Sequence, residues 1–218
     1  MFINFITLLL IKIAIVDTGL DLKDPRFKDV LCSEGHKDFT GEGIQDTVGH
    51  GTHVAGLIKE YAKSSNYCFT IYKFYSIKNS SLDRYVQALK TALESDNHLI
   101  NSSAGGTTSD ITEKAVIARH PKKTIIASAG NDNINLDKNC TYYPVCYGLS
   151  NVLSVGSYIA PGIKSPTSNY GEIVPMYWEI GENVLSTLPN NKTGRMSGTS
   201  MAAAIYTGKL IYASSHSH

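Results

Sequence analysis

Ile13-Ala14-Ile15-Val16-Asp17-Thr18-Gly19 is an apolar run that stops on a carboxylate and passes into a Thr-Gly turn. Ile11 to Val16 reads as a β-strand. Outward from it, apolar strands alternate with amphipathic segments. His50 to about Ala62 reads as a helix with Val54, Ile58 and Tyr61 on one face, and Tyr67 to Tyr75 is strand-like. Leu82 to Glu94 is helical, with Leu82, Val86, Leu89 and Leu93 at helical spacing. Leu99 to Ser102 is a short strand. Asp110 to Arg119 is a helix, with Asp110 and Glu113 placed as a capping box and Pro121 beyond its end. Thr124 to Ser128 and Val152 to Val155 are further strands, and Ser200 opens a last helix that buries Met201, Ala204, Ile205 and Gly208. The alternation predicts an α/β fold, a mostly parallel sheet with helices on both faces. Such sheets bind ligands beyond the carboxyl ends of their strands. Asp17, Ser103 and Asn131 fall at such ends, while His50 and Ser200 fall at helix starts.

Three of these positions carry complementary chemistry. A hydroxyl is a poor nucleophile at neutral pH. It becomes useful when an imidazole takes its proton and a carboxylate fixes the tautomer of that imidazole. Asp17 follows the first strand, His50 opens His50-Gly51-Thr52-His53-Val54-Ala55-Gly56, and Ser200 lies in Ser197-Gly198-Thr199-Ser200-Met201-Ala202. Each has a plainer reading. A Ser at a helix start is commonly an N-cap. Asp21 rivals Asp17 in the same loop but precedes Leu-Lys-Asp-Pro and reads as a solvated turn residue. His50 and His53 lack the His-Glu-x-x-His spacing of a zinc pair.

The order Asp, His, Ser, with each residue in its own glycine-rich context, resembles the subtilisin-like serine peptidases (subtilases) from about Lys12 to about Gly208. The resemblance implies a single three-layer peptidase domain over 1–218. It also implies an endopeptidase acting through an acyl-enzyme, with Ser200 as nucleophile, His50 as base and then acid, and Asp17 as orienter. His53 would support the local structure. The strand Ile125-Ile126-Ala127-Ser128-Ala129-Gly130-Asn131 ends in the family's Ala-Gly-Asn, so Asn131 is expected in the oxyanion hole beside the Ser200 backbone N–H. Asn101-Ser102-Ser103-Ala104-Gly105-Gly106 resembles the segment that pairs with extended substrate. Ser103, Ala104 and Gly105 would form one wall of the first specificity pocket, Ala129 and Gly130 the other, and Tyr142 the floor. A shallow pocket for small or medium side chains is the expectation. Transfer of the acyl group to an amine during peptide maturation is an alternative, because the triad does not choose the acceptor. A non-catalytic peptide-binding module is another.

The chain departs from the family pattern in places. Ala204 stands where a proline is usual, and the run before the serine is Glu179-Ile180-Gly181. Alanine favours helix, so the last helix is expected to persist. Ten residues follow Gly208, which suggests truncation at the C-terminus, and no propeptide is evident. A propeptide or inhibitor encoded elsewhere stays open. The loop after the His50 helix is short, so no tight calcium site is expected there. No cofactor is expected to be required, although weak structural calcium stays open because carbonyl ligands leave little trace in sequence.

Composition narrows the partners. Of 218 residues 18% are charged and the net charge is +1, so no strong field favours nucleic acid or an acidic membrane. A peptide or protein substrate is the expected partner. The apolar segment 1–10 is too short to span a bilayer, which takes ~20 residues, and lacks a basic start. It reads as a strand or packed terminus. The compartment stays open. Cys68 reads as a small core residue, whereas Cys140 and Cys146 flank a loop they would clip.

Overall fold

The computed structural model describes residues 10–63 and 66–216. Apart from Leu10, the N-terminal segment read over 1–10 lies outside them, as does the end of the tail, Ser217 and His218. In chain order the first elements are β1 (Ile11–Asp17), β2 (Lys37–Asp38), α1 (His50–Ala62), β3 (Tyr67–Lys73), α2 (Leu82–Glu94), β4 (Leu99–Ser102) and α3 (Ile111–Arg119). There follow β5 (Thr124–Ser128), β6 (Val152–Ala160), β7 (Ile163–Lys164), β8 (Tyr177–Ile180), β9 (Val184–Leu188), β10 (Lys192–Met196) and α4 (Thr199–His216).

The sheet runs β2-β3-β1-β4-β5-β6-β7, and β8 also pairs with β6. Every pairing is parallel except that of β6 with β7. The unbroken apolar character of β1 follows from its central place, because helices cover both of its faces. Ile13 and Ile15 join a core with Val54 and Ile58 of α1 and Met201 and Ile205 of α4. Ala14 and Val16 point the other way, into a core with Val86 and Leu89 of α2 and Val116 and Ile117 of α3. This is the period of two that a strand imposes.

From β1 the crossover through α1 leads to β3 on one side. The crossover through α2 then carries the chain to β4 on the other. Winding therefore reverses at β1, which opens a crevice beyond the carboxyl ends of β1 and β4. Asp17 closes the first strand and Ser103 follows the second.

Several boundaries and bonds differ from the sequence reading. The strand read to Tyr75 ends at Lys73, and the one read as 152–155 continues to Ala160. The helix read from Asp110 starts at Ile111, because Asp110 is its cap and accepts from Glu113 N at 2.8 Å. The reciprocal half of the capping box is not made. Asp110 N donates instead to the Tyr147 hydroxyl at 2.9 Å. Cys68 is buried, as read, but it is also bonded to Cys32. The segment at Leu31–Cys32 runs beside β3, with Cys32 N donating to Phe69 O at 3.0 Å, and that brings the two sulfurs together. Cys140 and Cys146 form a second disulfide around the loop that holds Tyr142 and Tyr143. The β9–β10 hairpin, antiparallel and packed on α1, had no counterpart in the sequence reading. Among the described residues no helix is long and apolar enough to cross a membrane.

Candidate active site

Asp17 is 2% exposed at the end of β1, and His50 begins α1 across the crevice. His50 Nδ1 lies 2.7 Å from Asp17 Oδ1, and the same oxygen accepts from Thr18 N at 2.7 Å. A carboxylate partner makes Nδ1 the protonated nitrogen and leaves Nε2 as the base. Burial would lower the pKa of His50. The charge and hydrogen bond of Asp17, helped by the charge of Asp46, outweigh it, and the net shift is upward. Gly51 permits this approach. A Cβ there would fall 2.2 Å from Gly19 O and 3.2 Å from Asp17 Oδ1.

Ser200 lies in the first turn of α4, where a helix leaves its N–H groups unpaired. Its hydroxyl donates to the Ser103 carbonyl at 2.9 Å, and Ser103 Oγ donates back to the Ser200 carbonyl at 3.0 Å. Ser103 in turn lines a cavity of about 290 Å³ together with Asp17 and His50. Asp17 and His50 are thus in direct contact, whereas the Ser200 hydroxyl is turned onto the neighbouring backbone and not onto the imidazole. Asn131 lies against the start of α4. Its Oδ1 accepts from Thr199 N at 2.9 Å and from Thr199 Oγ1 at 3.1 Å. A backbone N–H donor fixes that atom as the oxygen, so Nδ2 keeps its hydrogens for another acceptor.

The expected pocket residues form two backbone segments with an aromatic ring between them. A Cβ on Gly105 would lie 2.6 Å from Tyr142 Cε1, and one on Gly130 would lie 2.7 Å from Tyr142 Cδ2. The ring of Tyr142 therefore fills the space between the two walls. Ser103 and Gly130 are buried, Ala104 is partly buried and Gly105 exposed. Ala129 is fully buried within the core, so its side chain presents no surface to a ligand.

Two positioning groups stand out. Asp46 was not singled out from sequence, although an Asp just before a helix start was the available signal. It is 2% exposed. Its Oδ1 accepts from Thr18 Oγ1, Val48 N and Gly49 N, and its Oδ2 from Thr52 N and Thr52 Oγ1. It thereby ties the turn after β1 to the start of α1, the two pieces that carry Asp17 and His50. His53 faces away from the crevice. Its Nε2 donates to the carbonyls of Val184, at 3.1 Å, and Gly194, at 3.2 Å, strapping the β9–β10 hairpin to α1. Burial chiefly, and the nearby His50, lower its pKa, against the pull of the two carbonyls. Asp21 is buried, not solvated as read. It accepts from Gln45 Nε2, Lys23 N and Asn190 N, and it is committed to holding loops together. Among the described residues no group of three or more His, Cys, Asp or Glu is placed to hold a metal ion.

The chain is similar to known proteins along almost all of its described length. A family model described as the subtilase family matches residues 10–216. The "Major intracellular serine protease" of Bacillus subtilis (strain 168) is 33% identical over 94% of this chain and 69% of its own length. The "Alkaline proteinase" of Hapsidospora chrysogena is 30% identical over 91% of this chain, which spans only 50% of that relative. A solved lanthipeptide protease superposes with a TM-score of 0.79 at 25% identity, over 95% of this chain and 75% of that one.

Proposed function

Because the chain belongs to the subtilase family of serine proteases, we propose that it is a serine endopeptidase working through Ser200, His50 and Asp17. The observation that carries this reading is the half-buried Asp17–His50 contact at 2.7 Å, which opens on a cavity that Ser103 also lines, with the Ser200 hydroxyl bonded to the Ser103 carbonyl. In the reaction the Ser200 side chain rotates from Ser103 O toward His50. Nε2 takes the hydroxyl proton as Oγ attacks a peptide carbonyl. The developing oxyanion accepts from Asn131 Nδ2 and from the Ser200 backbone N–H. Asp17 holds the imidazolium in place. His50 then passes its proton to the leaving amine, and water enters by the reverse route to release the acyl group.

Substrate backbone would pair with the segment 103–106, and the Tyr142 ring between Gly105 and Gly130 supports a shallow first pocket for small or medium side chains. Maturation of a peptide precursor is a narrower form of the same reading, favoured by the similarity to a lanthipeptide protease. The test is cleavage of a mixed peptide library followed by mass spectrometry. The wild type is expected to cut internal bonds after small or medium residues, and Ser200→Ala to cut none. Equal cleavage by both proteins would refute the reading.

A further inference from the structure

Asn131 is exposed, so core packing does not hold it in place. An oxyanion donor must nevertheless stand within about 2.7–3.1 Å of the charge it meets. The bonds from Thr199 turn the Asn131 amide, but they do not fix the backbone that carries it. That backbone has left the sheet: Gly130 has φ +96° and Asn133 φ +54°. Something outside the loop has to hold it.

Asn169, between β7 and β8, grips the loop on both sides of Asn131. Before it, Asn169 Nδ2 donates to the Ala129 carbonyl at 2.8 Å, and Asn169 N donates to the Gly130 carbonyl at 2.9 Å. After it, Asn169 Oδ1 accepts from Asp132 N at 3.0 Å and from Ile134 N at 2.9 Å. The two N–H donors identify that atom as the oxygen. Asn169 is fully buried, and a Cβ on Gly130 would fall 2.3 Å from its Nδ2. The residue is itself anchored. Ser168 Oγ donates to the Asn169 carbonyl at 2.8 Å and accepts from Ser157 N of β6 at 3.0 Å. A continuous chain of bonds therefore runs from the sheet to the loop that presents Asn131. Only a carboxamide supplies an acceptor for two N–H groups and a donor for a carbonyl at this length. An aspartate would lack the donor and bury a charge.

We propose that Asn169 is a positioning residue for the reaction, setting the place of Asn131 Nδ2 at the developing oxyanion. It acts through Asn131 alone. Its bonds go to the loop and not to Asp17, His50 or Ser200. The inference rests on the peptidase reading and on the part given there to Asn131.

The test is a double-mutant cycle of Asn131→Ala and Asn169→Ala, with kcat and KM measured on a peptide that the wild type cuts and folding checked by circular dichroism. Asn169→Ala leaves its backbone bond to Gly130 but frees Ala129 O, Asp132 N and Ile134 N. With Asn131 present, kcat should fall on the order of 10²-fold, as for a misplacement of ~1 Å, while KM stays within about threefold. With Asn131 already replaced, the same change should alter kcat by less than about threefold, because the two residues act as one unit. A merely structural role would lower kcat by the same factor in both backgrounds, and that result would overturn the proposal. A second measurement needs no variant. In the wild type the Asp132 and Ile134 amides should exchange with solvent far more slowly than those of an open loop, as read by NMR. Exchange at open-loop rates would overturn the proposal even if Asn169→Ala failed to fold. An active wild type with equal losses in both backgrounds would sink this inference alone. A folded wild type that cuts no peptide would sink the peptidase reading and this inference with it.

Discussion

Ser200 and Ser103 are bonded twice: the hydroxyl of each donates to the carbonyl of the other, at 2.9 and 3.0 Å. The pair joins the start of α4 to the end of β4, two segments 97 residues apart. It holds the proposed nucleophile at the strand along which substrate is expected to lie. Ser103 Oγ is also 3.0 Å from Asn101 Oδ1, so the hydroxyl is shared between one buried and one half-buried acceptor. Ser103→Ala removes both contacts and keeps the carbonyl that accepts from Ser200. The expected cost is about 1–3 kcal/mol of stability, read by urea denaturation in a Ser200→Ala background. With Ser200 intact, kcat should fall more than KM changes, because the nucleophile loses its support and the substrate strand does not. A change in KM alone would assign Ser103 to binding only.

The pH dependence follows from the environment of His50. Its folded pKa lies above the ordinary imidazole value, ~6.5, because the Asp17 contact outweighs burial. The base must be neutral, so kcat/KM should rise with pH to a midpoint above ~6.5. Stability has the opposite sign. The contribution of the Asp17–His50 pair is fully present below the unfolded pKa and is lost as pH rises through the folded one. Asp17→Asn removes the charge and favours the wrong tautomer. The midpoint should drop and kcat should fall about 10⁴-fold, a figure carried over from the equivalent change on an unrelated fold. A wild-type midpoint at or below the ordinary value would contradict this electrostatic picture.

Gly51→Ala tests whether the crevice depends on close backbone approach. The added Cβ would meet Gly19 O at 2.2 Å, a contact that neither backbone can absorb without moving. α1 must shift away from the turn after β1, separating His50 from Asp17. A misplacement of ~1 Å costs on the order of 10²-fold in rate. Circular dichroism should show retained helix and strand, with kcat down by about that factor. Undiminished activity would mean that the Asp17–His50 geometry tolerates displacement.

Cys32 and Cys68 are 36 residues apart, and their bond closes the whole excursion from the loop before β2 through α1 to β3. Loop-closure entropy for a cross-link of that span is worth roughly 4 kcal/mol. The Cys32→Ser/Cys68→Ser double variant should lose a comparable amount in chemical denaturation. A loss below about 1 kcal/mol would indicate that residual structure already restricts the unfolded chain.

Much of this arrangement was legible in the sequence because local pattern and tertiary role agree. β1 is apolar throughout since both faces are covered, and α2 shows its amphipathic spacing over the full span from Leu82 to Glu94. Gly19, Gly51 and Gly56, close to Asp17 and His50, mark approaches that a Cβ would block, and Gly198, before Ser200, marks a turn with φ +142°. Other parts depend on contacts between distant residues that leave no local trace. Nothing near Cys68 signals Cys32, because what pairs them is the path of a loop along β3. The β9–β10 hairpin is short and mostly polar, and its place is set by His53 reaching Val184 and Gly194. Asp46 and Glu113 look like ordinary helix-start acids, and only their burial separates them from solvated ones.

The central claim is that Asp17, His50 and Ser200 act as one nucleophilic unit. The most direct measurement is mass mapping of the adduct formed with a fluorophosphonate probe. The account predicts a single adduct on Ser200 in the wild type and none in Ser200→Ala. In folded His50→Ala it should form far more slowly. A wild-type protein that is folded yet unlabelled, or labelled on another residue, would contradict it.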